Sequence, residues 1–262
     1  MDPRINNGVS LKVSIIIPTY NERENIAVLI DELAKYVSKY SYEIIVIDDN
    51  SPDGTADIAE SLSKRYPIKV LRRPCKMGLT SAIYDGFSIS NGDILVVMDA
   101  DLQHPPSVVP RLVERAQECE LVVASRYTKS GGTEKWSSLR KMISRGAIVL
   151  AWLIIPECRG VKDAVSGFFA VRRELISKWR PIVPNGYKAL VEILASAKPS
   201  RVCEEPYTFR ARARGGSKLG LKVILSYMKL LFVLKPAMVL SIAIVLIVML
   251  GLIIYIFLNM LT

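Results

Sequence analysis

Leu95-Val96-Val97-Met98-Asp99-Ala100-Asp101-Leu102-Gln103-His104 runs from an apolar stretch straight into two carboxylates one residue apart, then an amide and the chain's only histidine. In a parallel sheet covered on both faces, strands read as continuous hydrophobic runs and ligands collect outside their carboxyl ends. The two aspartates therefore stand where a site is expected. Two acids this close repel unless a cation, a proton or a basic partner offsets them. Hard divalent ions such as Mg²⁺ or Mn²⁺ prefer oxygen ligands and bridge carboxylates to substrate phosphates. Asp99-Ala100-Asp101 fits a metal-diphosphate site; taken alone, it fits an ordinary acidic turn as well.

The pattern repeats on either side. Val13-Ser14-Ile15-Ile16-Ile17 reads as a buried strand closed by Pro18 and a loop Thr19-Tyr20-Asn21-Glu22. A helix follows, with Ile26, Leu29, Ile30, Leu33 and Val37 on one apolar stripe. Glu43 to Ile47 is a second strand, running into Asp48-Asp49-Asn50-Ser51-Pro52-Asp53-Gly54. Thr55 caps a helix reaching Tyr66, Ile68 to Leu71 forms a strand, and Gly78 to Ile89 is helical. Pro105-Pro106 opens another helix, and Leu121 to Ala124 is a strand ending at Ser125-Arg126-Tyr127. This alternation predicts a three-layer α/β domain around a mostly parallel sheet. Neither a Gly-x-Gly-x-x-Gly turn after the first strand nor a Gly-Lys-Ser/Thr loop is present, so phosphate chemistry must rest on acids, metal and arginines.

Beyond Thr128 to Trp136, a polar loop, a helix carries Arg140, Lys141 and Arg145. In Val161 to Phe169, Gly167 permits a close backbone turn beside Asp163 and Ser166. Pro206 to Lys218 begins strand-like and becomes basic and flexible; Leu219 to Leu234 forms an amphipathic helix with Lys222, Ser226 and Lys229 on one face, suited to a membrane interface. Ala237 to Leu258 is uncharged and almost wholly aliphatic, long enough as a helix to cross a ~30 Å hydrocarbon layer.

The 262 residues carry a net charge of +10, which implies an acidic partner. The basic residues lie on the N-terminal side of the apolar span, so the large domain is expected on the cytoplasmic side. Cys75, Cys119, Cys158 and Cys203 are widely spaced and read as reduced thiols, and Met1 to Lys12 lacks a signal-type apolar core. Basic and aromatic residues do not interleave as in a nucleic-acid module, so no nucleic-acid partner is expected.

Five motifs occur in order: Ile17-Pro18-Thr19-Tyr20-Asn21-Glu22, Asp48 to Thr55, Met98 to Pro106, Val165-Ser166-Gly167-Phe168-Phe169 and Gly216-Ser217-Lys218. Together they resemble the dolichol-phosphate mannose synthases, inverting family 2 glycosyltransferases, over roughly residues 12 to 220. The resemblance implies a GT-A fold: a Rossmann-like, three-layer α/β domain at residues 1–218, an interfacial helix at 219–235 and a transmembrane helix at 236–262. It also implies mannose transfer from GDP-mannose to dolichyl or another polyprenyl phosphate at the bilayer. By the same resemblance Pro18, Tyr20, Glu22 and Asp49 match donor-nucleotide positions, and Asp99, Asp101 and Gln103 match the Mg²⁺ or Mn²⁺ set, with Ala100 lining the pocket. Arg126, Arg140, Arg212 and Lys218 match basic positions around the diphosphate and acceptor phosphate; Asp101, Arg126 and Arg140 are the expected catalytic residues.

Some relatives use UDP-glucose on a similar core, which leaves the sugar open. A processive polysaccharide synthase would carry Gln-x-x-Arg-Trp and several spans, and Lys178-Trp179-Arg180 is not that motif. A non-catalytic surface module binding nucleotide sugars or anionic lipids explains the charge and the span, but leaves the acid-ended strands without a purpose.

Overall fold

A computed structural model of the chain describes residues 11–177, 179–212 and 220–259. Strands β1 (Lys12–Thr19), β2 (Ser41–Asp48), β3 (Ile68–Arg72), β4 (Ile94–Val97), β5 (Leu121–Ser125), β7 (Phe169–Arg172) and β8 (Val202–Pro206) form one sheet in the order β3-β2-β1-β4-β7-β5-β8. A short ribbon pairs β6 (Gly132–Thr133) with β9 (Thr208–Phe209). The helices are α1 (Arg23–Val37), α2 (Thr55–Leu62), α3 (Leu79–Ile89), α4 (Val109–Arg115), α5 (Ser138–Ile154), α6 (Arg173–Ile176), α7 (Ala189–Ala197), α8 (Leu221–Leu234) and α9 (Pro236–Asn259).

Central strands alternate between two cores. Val13, Ile15 and Ile17 meet the α1 stripe of Ile26, Leu29, Ile30, Leu33 and Val37, together with Val109, Leu112 and Val113 of α4. Ile16, Leu95 and Val97 face the opposite way, onto Ile83 and Phe87 of α3, Ile148 and Ala151 of α5, and Leu190 of α7. Each fully buried Ile or Leu contributes about 1.5–3 kcal/mol, so the α1 stripe alone ties that helix to the sheet. Gly86 lets α3 lie close on β1, because a Cβ there would stand 2.5 Å from Ile16 Cγ2.

The sheet's order explains where the site forms. From β1 the chain steps outward through β2 and β3, then returns to place β4 on the other side of β1, all four being parallel. The crevice opens where the winding reverses, at the carboxyl ends of β1 and β4. Pro18 is tolerated because the β1–β4 ladder stops at Ile16 and Val97, short of its missing N–H.

Several details depart from the sequence expectations. β7 runs antiparallel between β4 and β5, and begins only at Phe169; the preceding stretch forms a turn. Thr55 is the first residue of α2 rather than its cap: Gly54, at φ 83°, holds the N-cap, and α2 ends at Leu62, not Tyr66. Gly167 needs no special φ, and an added Cβ would meet Asp99 Oδ2 at an ordinary contact distance of 3.5 Å, so neither turn geometry nor crowding demands glycine there.

The expectation of four reduced thiols is corrected for one pair. Cys119, at the entry to β5, and Cys203, on β8, form a disulfide across a Cα separation of 6.0 Å. They lie 84 residues apart in sequence, and only the β5–β8 pairing brings them together. Cys75 and Cys158 are free thiols.

α8 seats Tyr227, Leu230 and Leu231 in the core, and the Tyr227 hydroxyl donates to Ala147 O of α5 at 2.7 Å. Leu225, Met228 and Phe232 of α8 remain exposed, as do Leu139, Met142, Val149 and Leu153 of α5. Among the described residues one helix, α9, is long and apolar enough to cross a membrane, with a mean hydropathy of 3.1 over Pro236–Ile254.

Candidate active site

A cavity of about 550 Å³ opens at the ends of β1 and β4. It gathers Pro18, Tyr20, Glu22, Asp49, Asp99, Ala100, Asp101, Gln103, Arg140 and Arg212, ten positions singled out in the sequence. Lys218 lies outside the described residues. Arg126 does not line the cavity.

The acid loop is shaped by its backbone. Leu102 takes φ 62°, uncommon for a side chain of its kind, and the Asp101 and Gln103 side chains on either side both line the cavity. The Asp99 N–H donates to His104 Nδ1 at 3.0 Å, which leaves the proton of the neutral ring on Nε2. His104 is buried and stacked on Phe168 at 4.9 Å, and burial lowers its pKa. The chain's only histidine is thus a neutral brace for the loop.

Asp99 accepts no hydrogen bond among the described residues, and its side chain is 41% exposed to the cavity. Burial raises its pKa; His104 opposes that shift and Asp101 adds to it. Asp101 accepts the Gln103 N–H on Oδ1 at 3.2 Å and pairs through Oδ2 with Arg212. Gln103 donates its side-chain amide to Arg210 O at 3.0 Å, which leaves its amide oxygen as an acceptor. These are hard oxygen donors, one of them a carboxylate that accepts no hydrogen bond among the described residues and has His104 Nε2 3.9 Å away, and they fit Mg²⁺ or Mn²⁺. No three His, Cys, Asp or Glu side chains converge as a cage among the described residues. A cation here would complete its shell with substrate oxygens and water.

The β2 loop uses its acids differently. Asp48 accepts from Thr19 Oγ1, Ser51 N and Ser51 Oγ. Asp53 accepts from Arg23 N, Thr55 N and Thr55 Oγ1. Asp49 reaches the cavity while holding Arg73 at 2.5 Å and Gly78 N at 3.1 Å. Only glycine fits position 78: φ is +106°, and a Cβ would stand 2.5 Å from Asn185 Cα.

On the basic side, Arg140 lies in the first turn of α5, where Ser137 Oγ accepts its N–H, and its guanidinium sits 4.2 Å from the Trp136 ring centroid. Burial and the nearby charges of Arg126 and Arg212 lower its pKa. An anion placed among these groups would relieve the repulsion. Arg126 stands behind the Trp136 and Phe209 rings. Its Nε and Nη2 each donate to the fully buried Asp163 at 2.7 Å, and its backbone N–H at 2.9 Å. Glu204 accepts from the Lys162 and Asp163 amides, steadying that turn from β8.

Sequence reasoning passed over Lys76, Glu134, Trp136 and Lys188, all on the cavity wall. Lys76 Nζ lies 3.6 Å from the Tyr20 ring centroid. Lys188 donates to Val165 O at 3.0 Å; burial pulls its pKa down to about 8, Arg126 adds to that, and Asp163 and Asp99 oppose it. These residues come from loops and a helix start with no local pattern, and only the fold brings them to the acids.

A mostly parallel sheet with acids at the reversal of its winding is the GT-A arrangement. Residues 14–180 match the glycosyl transferase family 2 profile, and the chain belongs to that family. It is similar to the dolichol-phosphate mannosyltransferase of Pyrococcus furiosus, 48% identical over 220 residues that cover 84% of this chain and 62% of that protein. The chain thus spans somewhat less than two thirds of that relative. The dolichol-phosphate mannosyltransferase of Saccharomyces cerevisiae is 34% identical over 84% of this chain and 86% of its own length. Among solved structures, glucosyl-3-phosphoglycerate synthase from Mycobacterium tuberculosis, in complex with Mn²⁺, UDP and glucosyl-3-phosphoglycerate, shares the fold at TM-score 0.64 and 23% identity, over 88% of this chain and 79% of that one.

Proposed function

We propose that this chain transfers mannose from GDP-mannose to dolichyl or another polyprenyl phosphate, with inversion at the anomeric carbon. The observation that carries the reading is a single cavity with acidic and guanidinium walls, built on the body from which α8 and the apolar α9 extend. The names of the relatives support the acceptor and the sugar.

Pro18, Tyr20, Glu22 and Asp49 would receive the nucleoside end of the donor beside Ala100, with the diphosphate toward Asp99 and Asp101. A divalent ion held by Asp99, Asp101 and Gln103 would offset the charge that develops on the leaving diphosphate. The acceptor phosphate oxygen attacks the anomeric carbon from the face opposite that diphosphate; the new C–O bond forms as the old one breaks. A phosphate monoester has its second pKa near ~6, so it arrives already ionised and needs no general base. Arg140 and Arg212 supply charge-assisted hydrogen bonds to it, with Arg126 behind the Trp136 and Phe209 rings, and the family resemblance assigns Lys218 the same role.

A lipid acceptor accounts for the rest of the molecule. The exposed apolar residues of α5 and α8 suit the membrane interface, and α9 suits the bilayer. Confinement to the surface raises the local concentration of acceptor. Lys222, Lys229 and Lys235 all precede the span, and by the positive-inside tendency they support a catalytic domain on the cytoplasmic side.

The test is a panel of labelled nucleotide sugars and polyprenyl phosphates offered to membranes carrying the full chain. A lipid-linked product from GDP-mannose that disappears with a chelator is the expected result. Preference for UDP-glucose would make it a glucosyltransferase, and no product from any donor would overturn the reading.

A further inference from the structure

Asp101 is already in an ion pair with Arg212, although the proposed function asks it to hold a cation. We infer that Arg212 is a resident counter-charge, displaced from Asp101 by the divalent ion and thereby released toward the acceptor phosphate. The inference rests on that proposed function and specifies an order within it: cation and donor first, acceptor second.

Three features carry it. The pair is largely enclosed, at 8% exposure for the Asp101 side chain and 19% for that of Arg212, so neither charge is offset by bulk water. A doubly charged ion brought to the same carboxylate would face the guanidinium at close range, and the two cations repel. The second feature is the anchoring of the backbone. Arg210 N–H donates to Gln103 O at 3.0 Å, Gln103 Nε2 donates to Arg210 O at 3.0 Å, and Ala211 N–H donates to Glu134 at 2.9 Å. Arg212 therefore hangs from a segment stitched to the acid loop, and its long side chain can change partners while the backbone stays.

The third feature is the alternative partner. Arg140 and Arg126 already repel one another's charge, and Arg212 adds to the repulsion felt at Arg140. Without an anion, Arg212 gains by staying on Asp101. With a phosphate beside Arg140 and Arg212, the two arginines that line the cavity, the balance reverses, once the cation has taken over the carboxylate. Each state leaves the acid and the arginine compensated.

Mn²⁺ titration of the donor-free, full-length protein in detergent, followed by the electron spin resonance signal of free Mn²⁺, tests the exchange. Arg212→Gln should bind Mn²⁺ about tenfold more tightly than wild type, within the usual range of coupling between two sites. Arg212→Lys, which keeps the charge, should stay near wild type. Arg140→Gln removes a charge of the same sign that does not pair with Asp101, and should change affinity by no more than about twofold, a through-space effect only. Unchanged or weaker binding by Arg212→Gln would overturn the exchange, as would equal tightening by Arg140→Gln. Asp101→Asn separates the two levels: if it binds Mn²⁺ as tightly as wild type, the metal assignment fails and the exchange falls with it; if it loses Mn²⁺, the arginine variants alone decide.

Discussion

Two strands of the sheet end in acids, and the two loops spend those acids in opposite ways. After β2, Asp48 and Asp53 are each saturated by three donors from their own loop and its neighbours. After β4, Asp99 has no donor among the described residues, and Asp101 is neutralised by one arginine. A carboxylate whose lone pairs are filled shapes a turn, whereas one left open needs something from outside the fold. Composition does not separate the loops; their hydrogen-bond accounts do.

The sharpest way to break this contrast is Asp99→Asn. It removes charge without removing a donor's partner, so transfer should fall by about 10²–10³-fold while the melting temperature hardly moves. Initial rates beside a thermal melt would show it, and near-normal transfer would end the distinction. Asp48→Ala should act the other way round. Three donors lose their acceptor, at a cost of about 2–3 kcal/mol in unfolding free energy, readable from denaturant titration.

Another acid, Glu43, sharpens the point at the amino end of the sheet. Burial alone would raise its pKa, but Lys69, Ser14 and the Asn91 N–H together hold it down at about 2. A carboxyl depressed in the folded state stabilises above its unfolded value, here 4.5, and that stability is lost as pH falls toward about 2. The acid-dependent loss should reach at most about 3 kcal/mol, and Glu43→Gln should flatten it in urea titrations across that window.

The elements that set the crevice were legible because each carries its signal locally. The apolar runs of β1, β2 and β4 and the stripe of α1 are continuous patterns, and the acids follow directly upon two of those strands. What was not legible depends on partners far away in sequence. β7 is short, and its direction is decided by the edges of β4 and β5. The sulfurs of Cys119 and Cys203 meet only because β8 docks on β5. Arg126 looks like any basic residue at a strand end until Asp163 folds back to grip it. Lys188 is an isolated lysine until the turn carrying Val165 comes alongside.

Lys235 is the single residue between α8 and α9, and its ammonium reaches Glu157 at 3.4 Å beside the end of α5. A joint so short has no slack: in the bilayer reading, the seating of α9 fixes how far the crevice rides above the lipid. The catalytic body then behaves less like a balloon on a string than like a lamp on a rigid bracket. It would sweep the leaflet in two dimensions at constant height, and its encounters with polyprenyl phosphate would be paced by lateral diffusion.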